Sequence, residues 1–288
     1  MHLFLQTLIN GLLIGGLYIA ISLGFSLSFG VMDVVDFAVG EWVMVGAFTA
    51  YFLQQATGWD PLLLMPFSFA VTFALGLAVH PFLHRVTGGR RPRPALMGLV
   101  FTFGVATLLR GSALTAFGYD FRSLRTQFTG SISLVGQIPT LRLVTGLIAL
   151  GLTLAALGVL YRTRFGMAVR ATAQDKVNAA LQGVDIRRLS ALVYALHTGL
   201  TGMAGALLGA LFSVWAEMGV RYTIFAFFVV VLAGMGYLPG VIAASLALGV
   251  LQSFVATYLG AQYTLLILFG ALYLVLLVAP RGLFGKGV

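Results

Sequence analysis

The run LVTGLIALGLTLAALGVL (143–160) carries no charge, and FGMAVRATAQDKVNAALQG (165–183), just beyond it, is polar. A helix needs about 20 apolar residues to cross a bilayer, so the first reads as a span and the second as a connection outside the lipid. The alternation repeats along the chain. Eight or nine such segments appear, at roughly 5–29, 35–56, 61–80, 95–117, 142–161, 189–214, 222–237, 240–259 and 262–279. The composition agrees: 60% of the 288 residues are hydrophobic and 9% charged, where a soluble domain carries roughly 25% charged residues. The apolar runs are continuous and do not alternate, which excludes a closed β-barrel. The expected fold is all-α: a polytopic helical membrane protein, one transmembrane domain over 1–288, with its long polar connection at about 162–188.

A net charge of +9 invites a nucleic-acid reading, but the distribution argues against one. Arg85, Arg90, Arg91 and Arg93 share one connection, Arg162, Arg164, Arg170, Lys176, Arg187 and Arg188 another, and Arg281 and Lys286 the C-terminal tail, together 12 of 17 basic residues. The positive-inside rule assigns all three regions to the cytoplasm. Arg122 and Arg125 fall in the 118–141 connection on the other side, so the rule holds by majority. MHLFLQT at the start lacks the basic residues of a signal peptide, and segment 5–29 is expected to remain as the first span. The chain has no cysteine, which excludes disulfides and thiol chemistry.

Within the polar connection Val177, Ala180, Leu181 and Val184 fall at i, i+3, i+4 and i+7, one face of a helix. Such a helix could lie on lipid or bind a soluble subunit. Ala171, Ala173, Ala179 and Ala180 make it small-residue-rich, and it lacks the Trp or Phe of interfacial helices. That contrast favours docking.

Gly11/Gly15, Gly16/Ala20/Gly24, Gly205/Gly209 and Ala206/Ala210 repeat the small-xxx-small spacing of closely packed spans. Two stretches interrupt the apolar pattern instead. FGVMDVVDFAVGE (29–41) sets Asp33, Asp36 and Glu41 between apolar runs, and LAGMGYLPG (232–240) does so with Gly234, Gly236, Gly240 and Pro239. Paired interruptions mark broken helices beside a substrate path, and acids at membrane depth must be paired, protonated or wet. Asp33, Asp36, Glu41, Gly234, Gly236 and Pro239 are therefore candidates for the path or its gate. The plainer alternative is a short turn with Asp36 as N-cap of the second span. Arg110 could pair with an acid of another helix; snorkelling outward is the expected behaviour.

No metal-site spacing links His2, His80, His84 and His197, and His80/His84 read as interfacial. No nucleophile–base set appears. Neither lysine follows a phosphate loop, so the chain is not expected to be an enzyme, and any ATP hydrolysis must come from another subunit.

Three blocks resemble the permease subunit of branched-chain amino-acid ABC importers: GVMDVVDFAVGEWVMVGAF (30–48), GMAVRATAQDKVNAALQGVD (166–185), and AFFVVVLAGMGYLPGVIAASLALGVLQS (226–253) with the tail APRGLFGK (279–286). Their order and spacing together cover nearly the whole chain. The resemblance implies that residues 162–188 are an ATPase-coupling loop, carried by Gly166, Arg170, Ala171, Asp175, Val177, Ala180, Leu181 and Gly183. It implies a second, homologous permease, two cytosolic ATPases that use ATP and magnesium, a periplasmic or extracellular binding protein, and a bacterial or archaeal cytoplasmic membrane. No cofactor would bind this chain itself. Asp36 stands where the family usually has Asn, Val39 replaces a common His, Phe225 a frequent Lys, and Ala233 one of a Gly pair. These departures bear on the substrate, which could be a branched-chain amino acid, urea, a short amide or a small organic acid. The competing class is an ion-coupled carrier that works alone; the 162–188 connection is what such a carrier has little need for.

Overall fold

The computed structural model describes residues 2–88, 93–128, 130–133, 137–280 and 282–283. Arg90, Arg91, Arg281 and Lys286 lie outside them. Helices occupy all nine expected segments: α1 (His2–Met32), α2 (Val39–Thr57), α3 (Pro61–Thr87), α4 (Pro94–Phe117), α5 (Thr140–Arg162), α8 (Ile186–Leu211), α9 (Met218–Ala233), α10 (Leu238–Tyr258) and α11 (Thr264–Val278). The polar connection adds α6 (Arg164–Gln174) and α7 (Lys176–Leu181). Among the described residues the strands are a short antiparallel pair, Ser131–Ser133 with Gln137–Pro139. Expected to stop near His80, α3 instead continues through Pro81, and His80 is buried rather than interfacial.

Among the described residues seven helices are long and apolar enough to span individually, α11 only when extended back to Ala261; α2 and α9 are not among them. α2 carries Glu41 in its first turn and α9 has 16 residues. Both are instead enclosed by protein. α1 and α8 form the centre, buried on most of their surface, while α4 and α11 turn apolar faces outward at Leu108, Phe103, Leu266 and Leu277. Apolar surface of that extent suits lipid or another membrane subunit.

The small residues let the central backbones touch. Gly11 and Gly15 of α1 lie against Val250, Gly249 and Leu246 of α10, and Gly205 of α8 against the Val43 carbonyl of α2. A Cβ on Gly46 would strike the backbone of Gly202. Because backbone cannot rotate away, Gly46→Ala is expected to cost about 1–3 kcal/mol. Gly104→Ala, in open space on α4, should be neutral or stabilise by up to about 1 kcal/mol. Thermal unfolding in detergent checks both; equal melting of the two variants would contradict this packing.

One end of the bundle collects the basic connections. Met32 to Val34, the C-terminal end of α3, the start of α4, Lys176 and the start of α8 line one cleft of about 240 Å³ there. Leu283 donates its N–H to the Leu232 carbonyl at the same end. The 118–139 connection lies at the other end, where Gln54 and Asp60 bond Arg125, Thr126 and Gln127. There Arg122, an exception to the charge rule, is held among the rings of Tyr51, Phe52 and Phe117.

Candidate functional site: a returning segment and an exposed helix

With 31 residues α1 is about 46 Å long, more than the roughly 30 Å hydrocarbon core. Its C-terminal end reaches the basic end beside Lys176, and the chain turns back into the bundle before α2 begins. Residues 33–38 make that return in non-helical form along α4: Gly98 faces Val34, Thr102 Oγ1 donates to the Val35 carbonyl (3.1 Å) and accepts the Phe37 N–H (3.2 Å), and Ala106 packs on Ala38 and Trp42. Irregular backbone at such depth persists only where protein satisfies it, and here side chains do so.

Asp36 does the most. Its Oδ1 accepts the Ala38 N–H (2.8 Å), and its Oδ2 accepts the Trp42 indole N–H (3.3 Å) and lies 3.1 Å from His197 Nε2 of α8. Asp36, Trp42 and His197 are all buried. This corrects the N-cap reading: α2 starts after Ala38, with no side-chain cap, and the carboxylate ties the returning segment to α8. His197 is the twelfth residue of α8, about 17 Å along it.

Glu41 is fully buried, and its Oε1 accepts from Arg110 Nε (3.0 Å) and Nη2 (2.6 Å). Arg110 thus pairs across helices rather than snorkelling. It sits about 24 Å along α4, two turns before that helix ends, so the two charges meet inside the bundle. Glu41 Oε2 has no hydrogen-bond partner among the described residues and faces Gly219, in the first turn of α9. Gly40 donates to Thr223 Oγ1 (3.1 Å), and a Cβ on Gly40 would meet the Gly219 carbonyl. The N-termini of α2 and α9 therefore meet, and Glu41 lies at the positive end of both helix dipoles, where a carboxylate is favoured.

α9 gets there by a second return, residues 212–217, from the opposite end. Arg122 and Val214 exchange N–H···O bonds (2.9 and 2.7 Å), which satisfies this backbone. Sequence reasoning placed the later interruption at 232–240 and missed this one. The signal was the shortness of the apolar run after Trp215-Ala-Glu217. Gly234 (φ 85°) and Gly236 (φ 83°) form the turn from α9 to α10, and Pro239 begins α10. Gly236 and Pro239 line a cleft of about 320 Å³ at the basic end with Gly30, Arg170 and Gln174. The six path candidates thus divide: Asp36 and Glu41 lie deep, while Asp33, Gly234, Gly236 and Pro239 lie at the end.

The polar connection is two helices, a correction to the single one expected. Thr163 caps α6 by accepting the Gly166 N–H, and Asp175 caps α7 by accepting from Val177 (2.8 Å) and Asn178 (3.0 Å). A side chain that captures those N–H groups stops α6 from continuing. Gly183 (φ 88°) ends α7, and Asp185 caps α8. Gly166 and Val169 are buried, Ala171 is exposed, and the Arg170 guanidinium stacks 5.1 Å from the Tyr161 ring centre. On α7, Ala179 is buried while Val177 (70% exposed), Ala180 and Leu181 (79% exposed) face outward. Val184 turns inward onto the cluster of Val31, Val169 and Leu189 and leaves the stripe.

The branched-chain amino acid transport system / permease component family model matches residues 7–277. The chain is 31% identical over 303 residues to the high-affinity branched-chain amino acid transport system permease protein BraD of Pseudomonas aeruginosa, covering 98% of this chain and 96% of that one. It is 29% identical to LivH of Escherichia coli K12, with the same coverage, and 24% identical to a probable LivH of Methanocaldococcus jannaschii, covering 96% and 91%. In fold it resembles a solved structure of PsaBC from Streptococcus pneumoniae in complex with Fab, with a TM-score of 0.50 and 15% identity over 94% of this chain and 90% of that one. The match runs through both returning segments, the two short helices α6 and α7 and the spans that hold them. The chain is a multi-pass membrane protein and belongs to the branched-chain amino acid transport permease family.

Proposed function

We propose that the chain forms part of the translocation path of an ATP-driven importer for branched-chain amino acids or a related small solute, with α7 as the surface that engages a cytosolic ATPase. The observation that carries this is the outward stripe of Val177, Ala180 and Leu181 on a helix capped at both ends and standing where the basic connections gather. Apolar side chains left this exposed on a short, rigid helix are anchors for a pocket. The names of the relatives, permease proteins of branched-chain amino-acid transport systems, support the solute class. Asp36 lies in the returning segment and Val39 opens α2, where family departures bear most directly on that class. The partners are a second permease, homologous and more fitting than a second copy, two ATPases that bind ATP and magnesium, and a substrate-binding protein at the other end. The membrane is the bacterial or archaeal cytoplasmic one, with the basic end inside.

Ala180→Arg tests the docking surface. Ala180 is exposed, so the free chain should fold and melt as before. In a closed contact an unpaired charge costs about 3–5 kcal/mol, more than about a hundred-fold in association. Co-purification with the ATPase and substrate-stimulated ATP turnover should both be lost. Asn178→Arg, on the flank where Asn178 bonds Asp175, should retain them. Full assembly and turnover by Ala180→Arg would remove α7 from the role.

A further inference from the structure

Of the four ion pairs among the described residues, Arg110–Glu41 and His197–Asp36 lie within the bundle and Arg188–Asp185 within one helix start. The fourth joins the docking helix to the bundle: Lys176 Nζ stands 2.5 Å from Asp33 Oδ2. Lys176 is the first residue of α7, next to the exposed stripe, and Asp33 is the first residue of the returning segment. Three residues beyond Asp33 comes Asp36, bonded to Trp42 and His197. A single side-chain contact therefore connects a surface that meets a partner to backbone that climbs to membrane depth.

Asp33 has a left-handed backbone, φ 54°, and its N–H closes on the Phe29 carbonyl (2.8 Å) as α1 ends. Glycine is the residue of lowest cost in that position, so the backbone alone does not call for a carboxylate. The pair is exposed on both sides, 38% for Lys176 and 67% for Asp33. Exposed pairs add little to stability, so it is not needed to hold the fold.

We propose that Lys176 and Asp33 are positioning residues that transmit the placement of α7 to residues 33–38. This rests on the docking reading above. When the ATPases move α7, Lys176 carries Asp33 with it, and the returning segment shifts against α4 and α8. Neither residue touches the transported solute. The pair acts through the segment it steers.

The chain has no cysteine, so Val35→Cys can report on the returning segment without background. The experiment measures its modification rate by a small thiol reagent in the complex with the ATPase subunits, with and without ATP and magnesium. The expected result is a rate difference of about three- to ten-fold in the otherwise unaltered chain, collapsing in Asp33→Asn and in Lys176→Gln. The double variant should be no worse than either single one. Asp33→Gly, which keeps the left-handed backbone, should behave as Asp33→Asn, while melting and ATPase co-purification stay unchanged in all. Variants that keep the full difference, or singles whose losses add in the double, would overturn the link and leave the docking reading standing. If the unaltered chain shows no difference while bound to the ATPases, the link falls, and the docking reading rests on Ala180→Arg alone.

Discussion

Asp36→Ala is expected to cost the folded chain about 3–5 kcal/mol, since each buried polar group left without its partner costs about 1–3 kcal/mol. The loss has three parts. The Ala38 N–H, the Trp42 indole N–H and the His197 ring nitrogen all lose their acceptor in a site closed to water. None can turn to solvent, because Trp42 and His197 are fully buried. Asp36→Asn keeps one oxygen for Ala38 but presents an N–H₂ to the indole donor, so a smaller loss is expected. Thermal unfolding in detergent, with uptake measured in parallel, separates the two. An Ala variant melting within about 1 °C of the parent, too little for such a loss, would sink the claim that this carboxylate holds the returning segment.

Arg110→Met should be nearly as damaging, and more so than Glu41→Gln. The asymmetry comes from burial: the Arg110 side chain is 34% exposed and the Glu41 side chain 0%. Without Arg110, Glu41 keeps only the helix dipoles, and an uncompensated carboxylate in this interior costs about 3–5 kcal/mol. Without the charge on Glu41, Arg110 can extend its head toward water. The pair Glu41→Met/Arg110→Met should regain most of the stability lost by Arg110→Met alone, since well-packed apolar replacements of buried pairs are often neutral. Melting temperatures of Arg110→Met, Glu41→Met and the double variant form the cycle. If the double variant is as unstable as the sum of the singles, the two residues do not act as a pair.

Composition and periodicity made the spans legible, because a bilayer demands long apolar runs and nothing else in this chain competes with them. The exposed stripe of α7 was legible for the same reason: Val177, Ala180 and Leu181 stand out in a polar stretch. What could not be read was depth. A turn at the surface and a segment climbing back 33–38 look alike in one dimension, since both need polar residues and a glycine nearby. The difference lies in partners far away in sequence, Thr102 and His197 for the first return and Arg122 for the second. Arg110 was misjudged on the same ground. From its own helix it had only water to seek, and Glu41 became its partner only through packing. The glycines at 234 and 236 drew attention as a break in a span, yet they serve a tight turn between two complete helices.

The enclosed acids also impose an order on how the chain is made. Glu41 leaves the ribosome 69 residues before Arg110, and Asp36 precedes His197 by 161. An ionised carboxylate in lipid is costly without a partner, and α2, with Glu41 in its first turn, falls short of spanning character by itself. During synthesis α2 therefore has reason to wait in the insertion machinery, or beside α1, until α4 supplies the guanidinium. The segment before it waits longer still, until α8 arrives. The hydrogen bonds that fix the interior of the finished protein are thus also a timetable, and the last stages of folding fall after more than half of the polypeptide is already in the membrane.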